Sequence, residues 1–534
     1  MAFDMLITGG EVVDGSGCAR RRVDVGISNG RIAAIGSLEG TEAAETIDAS
    51  GQVVAPGFID MHSHSDVNLL DDPGGESKAF QGVTTEVTGN CSFSPFPAGK
   101  LGEGGLREAM GTILRSQAPW SWSSLDGWAD ATESVGVSLN LAPLVGHGAI
   151  RVAAGVNENR PPTPDELVEM LRLAAESVEQ GAFGMSTGLT LAPSMYAETD
   201  EIASLAKAIS PFKHAFYATH ARVWAGWHVR ALEEAAEIGC KGGVPVQFSH
   251  IAIGDSRIFG RGEEMVAVID RARAEGMDMT CDMYPYTAGA SGLNQSLPSW
   301  IQEGGIDAML VRLRDPSDRK RAFEDMAEGH FGGLPWTWDK MFITYVGSDA
   351  NRSVVGRSLE AIAEDRGVDP REAMLALIDE ESNNVGVVGH NRIESDVRFF
   401  MQYEHAMIGS DGRAISPNGW WATDKPHPRF YGCYPRILGR YVRDDGVLPL
   451  EIAIYKMTGF PAKRLGLKDR GLIREDFAAD VLVFDPDTII DHADFDEPHQ
   501  LSTGVSHVYV NGQAIISDGT HTGARPGRVL RRGA

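Results

Sequence analysis

His62 and His64 stand two residues apart at the end of the apolar run in VVAPGFIDMHSHSD. Residues two apart on a strand point to the same face, and a short apolar run suits a buried parallel strand. Both imidazoles would therefore project together from the end of a core strand. Imidazole nitrogens suit zinc and its neighbours in the divalent series, and Asp60 and Asp66 are near enough to orient such ligands. Four more positions repeat the pattern. Cys91 closes TTEVTGNC, His220 closes FYATH, His250 closes VQFSH and Asp411 closes AMIGSD. Each follows an apolar or β-branched run at the point where a strand should stop. A lone strand-end histidine is more often structural. Six metal-capable residues in phase point to a metal site. Cys240 and Cys281 lack this setting and read as small buried hydrophobes.

The elements that must carry these residues alternate along the chain. FGMSTGL, AFYATHAR, VPVQFSHI, MDMTCDMYPY and HAMIGSDG read as strands. Between them, DELVEMLRLAAESVEQ, ETDEIASLAKAI, HVRALEEAAEIG and EEMVAVIDRARAEG have helical periodicity, and Pro162-Thr163-Pro164 is a helix start. This order predicts an α/β fold with a parallel sheet, closed as a (β/α)8 TIM-like barrel whose active site lies at the C-terminal strand ends. Residues 291–344 read as an insertion plus the seventh strand. Both chain ends have a different texture of short strands, with hairpin turns at Asn29-Gly30 and Asn511-Gly512. The expected division is a small β-sandwich from residues 1–56 and 467–534, and a barrel from 57–466.

Composition narrows the partners. Acidic residues outnumber basic ones 74 to 48, a net charge of −26, which argues against nucleic acid and anionic membrane. The five cysteines are scattered and form no C-x-x-C pair, which fits a reducing compartment. No signal peptide or membrane span is read, so the expected location is the cytoplasm. A homo-oligomer is left open.

The motifs GFIDMHSHSD, GVTTEVTGNCS, LVGHGAIR, GAFGMSTGL, YATHAR, FSHI, DMYPYTA, MIGSDG, HPRFYGCYPRILGRYV and KMTGFPAKRLGLKDRG run in order over nearly the whole chain. In this the chain resembles the amidohydrolase superfamily, and within it the D-aminoacylase (N-acyl-D-amino-acid deacylase) family. The resemblance implies zinc, with one tightly held ion and a second, weaker divalent site. It assigns His62 and His64 to the weaker metal, Cys91 to the bridging place, His220 and His250 to the tight zinc, and Asp411 to the strand-8 aspartate. The implied reaction is metal-assisted hydrolysis of an N-acyl-D-amino acid, with Asp411 taking the water proton and passing it to the leaving amine.

Arg222, Tyr284 and Arg413 are candidates for holding the substrate carboxylate. The family pattern has a lysine two residues after the strand-6 histidine, where this chain has Ala252. Trp224, with Trp227, Trp420 and Trp421, suggests bulky or apolar substrates. The SGLNQSLP segment offers no arginine for an acidic side chain. Two alternatives stand beside this reading: a hydantoinase-like amidohydrolase of cyclic amides, and a non-catalytic relative. The first would carry a bridging lysine on strand 4, and the second would tend to lose metal ligands.

Overall fold

The structure, a computed structural model, describes residues 2–110 and 114–533. Its centre is a set of parallel strands: β1 (Phe58–Asp60), β2 (Val83–Thr88), β3 (Asn140–Pro143, resumed at Val145–Gly146), β4 (Gly184–Gly188), β5 (Phe216–His220), β6 (Val246–Phe248), β7 (Met279–Met283) and β8 (Ala406–Ile408). β1, β2 and the first part of β3 form one ladder, and the second part of β3 through β8 forms another. β8 returns to β1: Met61 N donates to Ile408 O, Asp411 N donates to His62 O at 2.7 Å, and Ser63 bridges Gly412 in parallel. The arrangement is TIM-barrel-like. Every residue of β2 and β4 is buried, as expected for strands covered on both faces.

Helices cover the outside. Pro164–Glu179 starts where the sequence says it should: the Thr163 side chain accepts from Glu166 N, the Glu166 side chain accepts from Thr163 N, and Pro164 fills the first turn. His228–Gly242 continues three residues past the expected stop at Gly239. Gly239 packs so close to Val246 that an added Cβ would lie 2.2 Å from its Cγ2, which accounts for the glycine without ending the helix.

The expected seventh strand within 291–344 is corrected. β7 is Met279–Met283, which pairs directly with β8 through Cys281 opposite Ala406. The later strand Met341–Val346 pairs antiparallel with Val385–Gly389, which also pairs with Gly289–Gly292. These three strands and their helices bury a separate core that includes Leu293, Leu313, Ile343 and Leu375. The inserted strands therefore form a sheet of their own, outside the ladders of β1–β8.

Strands from both ends of the chain share the remaining core. Phe3–Thr8, Asp24–Ser28, Arg31–Gly36 and Ala43–Asp48 form one sheet. In a second sheet Val53–Pro56 lies between Glu11–Val12 and Val481–Phe484. Met5, Ile7 and Ile47 of the first pack with Val54, Val481 and Tyr509 of the second. Among the described residues no helix is long and apolar enough to cross a membrane.

Candidate metal centre

The six strand-end residues converge. Cys91 Sγ lies 3.2 Å from His62 Nε2, 3.5 Å from His250 Nε2 and 3.8 Å from His220 Nδ1. His220 Nδ1 and His250 Nε2 are 3.1 Å apart. His64 Nε2 and His62 Nε2 lie 3.0 and 3.7 Å from Asp411 Oδ1. Two overlapping donor groups result, His62–Cys91–His250 and His62–His64–Asp411.

The donor set fits zinc. Tetrahedral zinc, with Zn–S near 2.3 Å and Zn–N near 2.0–2.1 Å, sets ligand atoms about 3.3–3.6 Å apart, close to the separations observed here. A thiolate among imidazoles is a soft set that favours zinc over calcium or magnesium. Burial holds His64 and His220 down to about 4 and His250 well below the ordinary imidazole range. These rings are therefore neutral, the form that ligates metal. Burial also presses His62 down, but Cys91 and Asp282 outweigh it and hold His62 well above that range. A metal ion would take that proton's place.

Local backbone explains the convergence. Cys91, His250 and Asp411 all have left-handed φ, at 51°, 37° and 52°. This region is sparsely used by residues other than glycine and costs about 1–3 kcal/mol each time. It turns the chain sharply just past the ends of β2, β6 and β8, so that each side chain leaves the strand direction and faces the common centre.

The supporting contacts are buried. The Thr190 hydroxyl lies 2.6 Å from His220 Nε2, leaving Nδ1 to face the centre. Asp282 Oδ1 lies 3.4 Å from His62 Nδ1 and accepts from His250 N at 2.7 Å. Asp282, at the penultimate position of β7, is therefore the carboxylate beside a ligand ring. Sequence reasoning gave that role to Asp60 and Asp66, and the structure reassigns both. Asp60 accepts from His62 N and Ser410 N and pairs with fully buried Lys78 at 2.6 Å, while Lys78 also meets Glu86 at 3.3 Å. Asp66 accepts from Gly89 N. Among the described residues neither pairs with a histidine ring.

Asp411 has a partner that the sequence did not single out. Arg429 Nη1 lies 2.8 Å from Asp411 Oδ2. Burial by itself would raise Asp411, but Arg429, His64 and the other histidines outweigh it and hold the carboxylate well below its ordinary range. Arg429 lies in HPRFYG, inside a motif whose role was not assigned.

A cavity of about 230 Å³ opens from this centre. Tyr284, Arg413 and Trp421 line it, with Asn294 and Gln295 of the SGLNQSLP segment. Arg222 does not. Its Nε donates to both oxygens of Glu234 at 3.1 Å, and its Nη atoms donate to the carbonyls of Met195 and Ala197. The strand ends at His220, so Arg222, two residues further on, is not held to the face that His220 shares by strand alternation. Trp224 also lies outside this cavity, against a smaller one, 6.3 Å from Trp227. The arginine that sequence reasoning missed is Arg392. It lines the cavity with its guanidinium 4.6 Å from the Tyr284 ring centre, and among the described residues no carboxylate pairs with it. It follows Val385–Gly389 in the inserted layer, where no barrel strand announces it. Cys281 is buried as expected, whereas Cys240 is exposed.

Histidines, a cysteine and an aspartate gathered at the C-terminal strand ends of a TIM-barrel-like fold, beside one cavity, are the kind of arrangement that metal-dependent hydrolases use. The sequence profile of the amidohydrolase family matches residues 45–292 and 419–516. D-aminoacylase of Alcaligenes xylosoxydans xylosoxydans is 36% identical over 532 residues, covering 100% of this chain and 98% of that one. N-acyl-D-glutamate deacylase of the same organism is 36% identical, covering 100% and 97%. The crystal structure of N-acyl-D-glutamate deacylase from Bordetella bronchiseptica, complexed with zinc and a phosphonate mimic of the tetrahedral intermediate, superposes with a TM-score of 0.84 at 33% identity, covering 99% of this chain and 100% of that one. The chain belongs to the amidohydrolase family, in its D-aminoacylase branch.

Proposed function

We propose that this protein is a zinc-dependent N-acyl-D-amino-acid deacylase, cleaving the amide to a carboxylate and a free D-amino acid. The observation that carries the reading is the approach of Cys91, His220, His250, His62, His64 and Asp411 to one another beside a cavity that is also lined by Arg392, with which no carboxylate pairs among the described residues. Cys91, His220 and His250 would hold the tight zinc, with His62, His64 and Asp411 offering a second, weaker site. Zinc bound there supplies Lewis acidity toward the acyl carbonyl and lowers the pKa of water.

The protein's own groups do the rest. Asp411, kept ionised by Arg429, takes the proton of the attacking water through Oδ1 and returns it to the leaving nitrogen. Arg429 fixes the other oxygen, so the carboxylate does not swing away between the two transfers. Arg392 receives the substrate's α-carboxylate in a bidentate fork, with Tyr284 beneath it. Arg413 lies two residues beyond Asp411 and adds positive charge to the same cavity.

In architecture we read a closed (β/α)8 barrel from residues 57–466 and a β-sandwich from 1–56 and 467–534. The return of β8 to β1 and the shared terminal core support this. The deciding experiment is an activity screen of zinc-loaded protein against N-acetyl and longer N-acyl derivatives of both enantiomers of the amino acids, with cyclic imides in parallel. Hydrolysis of D-derivatives is expected. Turnover of cyclic imides alone would overturn the reading.

A further inference from the structure

Residues 189–197 link β4 to the helix Thr199–Ile209 and meet the metal centre at their near end. Leu189 N donates to His220 O at 2.8 Å. The next residue is Thr190, whose buried hydroxyl lies 2.6 Å from His220 Nε2. A neutral imidazole that ligates through Nδ1 carries its proton on Nε2, so the Thr190 oxygen accepts that proton. Leu191 and Ala192 then line the cavity. Just before the loop, Gly188 lies so close to Cys91 that an added Cβ would stand 2.5 Å from the Cys91 carbonyl oxygen. One short segment therefore abuts both Cys91 and His220.

The far end of the loop is clamped. His147 Nδ1 lies 2.5 Å from Ser194 Oγ, and its Nε2 lies 3.0 Å from Glu201 Oε1. Arg151 Nη1 donates to both Glu201 oxygens, at 2.7 and 2.8 Å. Serine, histidine and carboxylate in this order are the parts of a nucleophilic triad. Here Ser194 and His147 are 0% exposed, and neither lines the cavity at the metal centre, so no substrate reaches the hydroxyl. Burial holds His147 below the ordinary imidazole range, which fits a neutral ring that accepts from Ser194 and donates to Glu201. Arg222 grips the same loop. Its Nη1 donates to Met195 O at 2.9 Å and its Nη2 donates to Ala197 O, while Glu234 fixes its Nε. The contacts close a circuit: from His220 along the chain to Arg222, across to Met195 and Ala197, back along the loop to Thr190, and onto the His220 ring.

We propose that residues 189–197 form a strut that sets the His220 ring for the tight zinc, with Thr190 as the positioning residue and with Arg222 and the His147–Glu201–Arg151 cluster acting through it; the proposal rests on the metal assignment in the deacylase reading above. It gives the motif LVGHGAIR a role, since that motif supplies His147 and Arg151. It also gives Arg222 one, away from the substrate. A partner on the outer nitrogen keeps a ligating ring in one tautomer and one orientation, and losing it costs about 10–100-fold in metal affinity or activity. The Thr190 hydroxyl can do this only while its own backbone is held in place, and the clamps at Ser194, Met195 and Ala197 hold it.

The test compares full-length wild type with Thr190→Val, Thr190→Ser, Ser194→Ala and Arg222→Met. Affinity for the first equivalent of zinc is read by competition with a chromophoric chelator, and ligand geometry by the visible absorption of the cobalt-substituted protein. The melting temperature of the zinc-free protein reports folding, and kcat and KM are measured with N-acetyl-D-methionine at saturating zinc. Thr190→Val should bind zinc ~10–100-fold more weakly, shift the cobalt spectrum and lower kcat with KM little changed, at an unchanged zinc-free melting temperature. Thr190→Ser keeps the oxygen and should restore both affinity and spectrum. Ser194→Ala and Arg222→Met leave Thr190 in place, yet should weaken zinc and shift the spectrum in the same direction by a smaller amount. Unchanged affinity and spectrum in Thr190→Val overturn the proposal. An effect there with none in Ser194→Ala and Arg222→Met overturns the strut, and Ser194→Ala alone decides if Arg222→Met does not fold. Absence of turnover of any D-derivative by zinc-loaded wild type overturns the deacylase reading; zinc affinity and the cobalt spectrum need no substrate, so the two failures are distinct.

Discussion

Replacing Arg392 with methionine separates an arginine that sequence reasoning missed from Arg222, which it singled out. The guanidinium of Arg392 forms no ion pair among the described residues, so the change leaves no buried carboxylate stranded and should cost little stability. What it removes is the contact with the substrate carboxylate. Two parallel charge-assisted hydrogen bonds contribute about 1.5–3 kcal/mol each in a buried setting. Arg392 is half-buried against Tyr284, so about 3 kcal/mol for the pair is a fair expectation. That corresponds to a fall of roughly 150-fold in kcat/KM. The α-carboxylate keeps its charge from ground state to transition state, so the loss should appear as raised KM with kcat little changed. The assay pairs an N-acetyl-D-amino acid with its neutral carboxamide: wild type should prefer the acid, and Arg392→Met should erase that preference. Arg222→Met should behave in the opposite way. It strands Glu234, lowers stability, and leaves the acid-to-amide preference intact. Retention of the preference in Arg392→Met, or its loss in Arg222→Met, would refute the assignment.

Asp411→Asn keeps the shape but cannot accept a proton, so kcat should fall by ~10²–10⁴ while zinc stays bound by elemental analysis; a variant within tenfold of wild type removes Asp411 from proton transfer. Cys91→Ala should lose the tight zinc, and chelation of wild type should lower its melting temperature until zinc is restored. A thousandfold excess of metal over its dissociation constant contributes about 4 kcal/mol, and an unmoved melting temperature would deny that these residues hold the ion. Asp282→Ala should weaken binding at the second, weaker site ~10–100-fold through loss of its contact with His62, read by competition with a chromophoric chelator. Lys456 is buried against the carbonyls of Tyr403 and Ala406, and burial holds it down to about 8. The unfolded chain keeps that proton to about pH 10.4, so between about pH 8 and 10 the unfolded state binds more protons and this group's contribution to stability rises with pH. Lys456→Met should abolish that component of the difference between urea midpoints at pH 8 and pH 9.5.

The six residues that meet were legible in the sequence because strand ends are. An apolar run that stops at a histidine, cysteine or aspartate states both the residue and its place, and all six strand-end residues meet. The same logic failed for Arg222, since two-residue alternation holds only while the chain remains a strand, and β5 ends at His220. Arg392 was hidden for the opposite reason. It is carried by the inserted layer, whose strands run antiparallel outside the barrel, so no strand-end pattern marks it. Asp282 lies within β7, where a buried aspartate reads as an anomaly until His62 is seen beside it. The left-handed turns at Cys91, His250 and Asp411 leave no mark in sequence, because none of the three is glycine. The start of the helix Pro164–Glu179 was legible, since Pro162-Thr163-Pro164 is a local signal that needs nothing distant, whereas the end of His228–Gly242 was not.

The pairing of Val53–Pro56 with Val481–Phe484 has a consequence for biosynthesis. A ribosome adding about 5–20 residues per second leaves that strand without its partner for roughly 20–80 s. β1 follows it directly, and its closing partner β8 begins at Ala406, so His62 and His64 also emerge long before Asp411 exists. During that interval an apolar strand edge and the imidazoles of His62 and His64 are exposed together, in a nascent chain that still lacks the strand and the carboxylate that meet them. Such a chain invites premature β-pairing and stray metal capture. The six residues can meet, and the edge be covered, only once the last quarter of the polypeptide is made, so the yield of active enzyme should depend on how well the cell shields the unfinished chain until then.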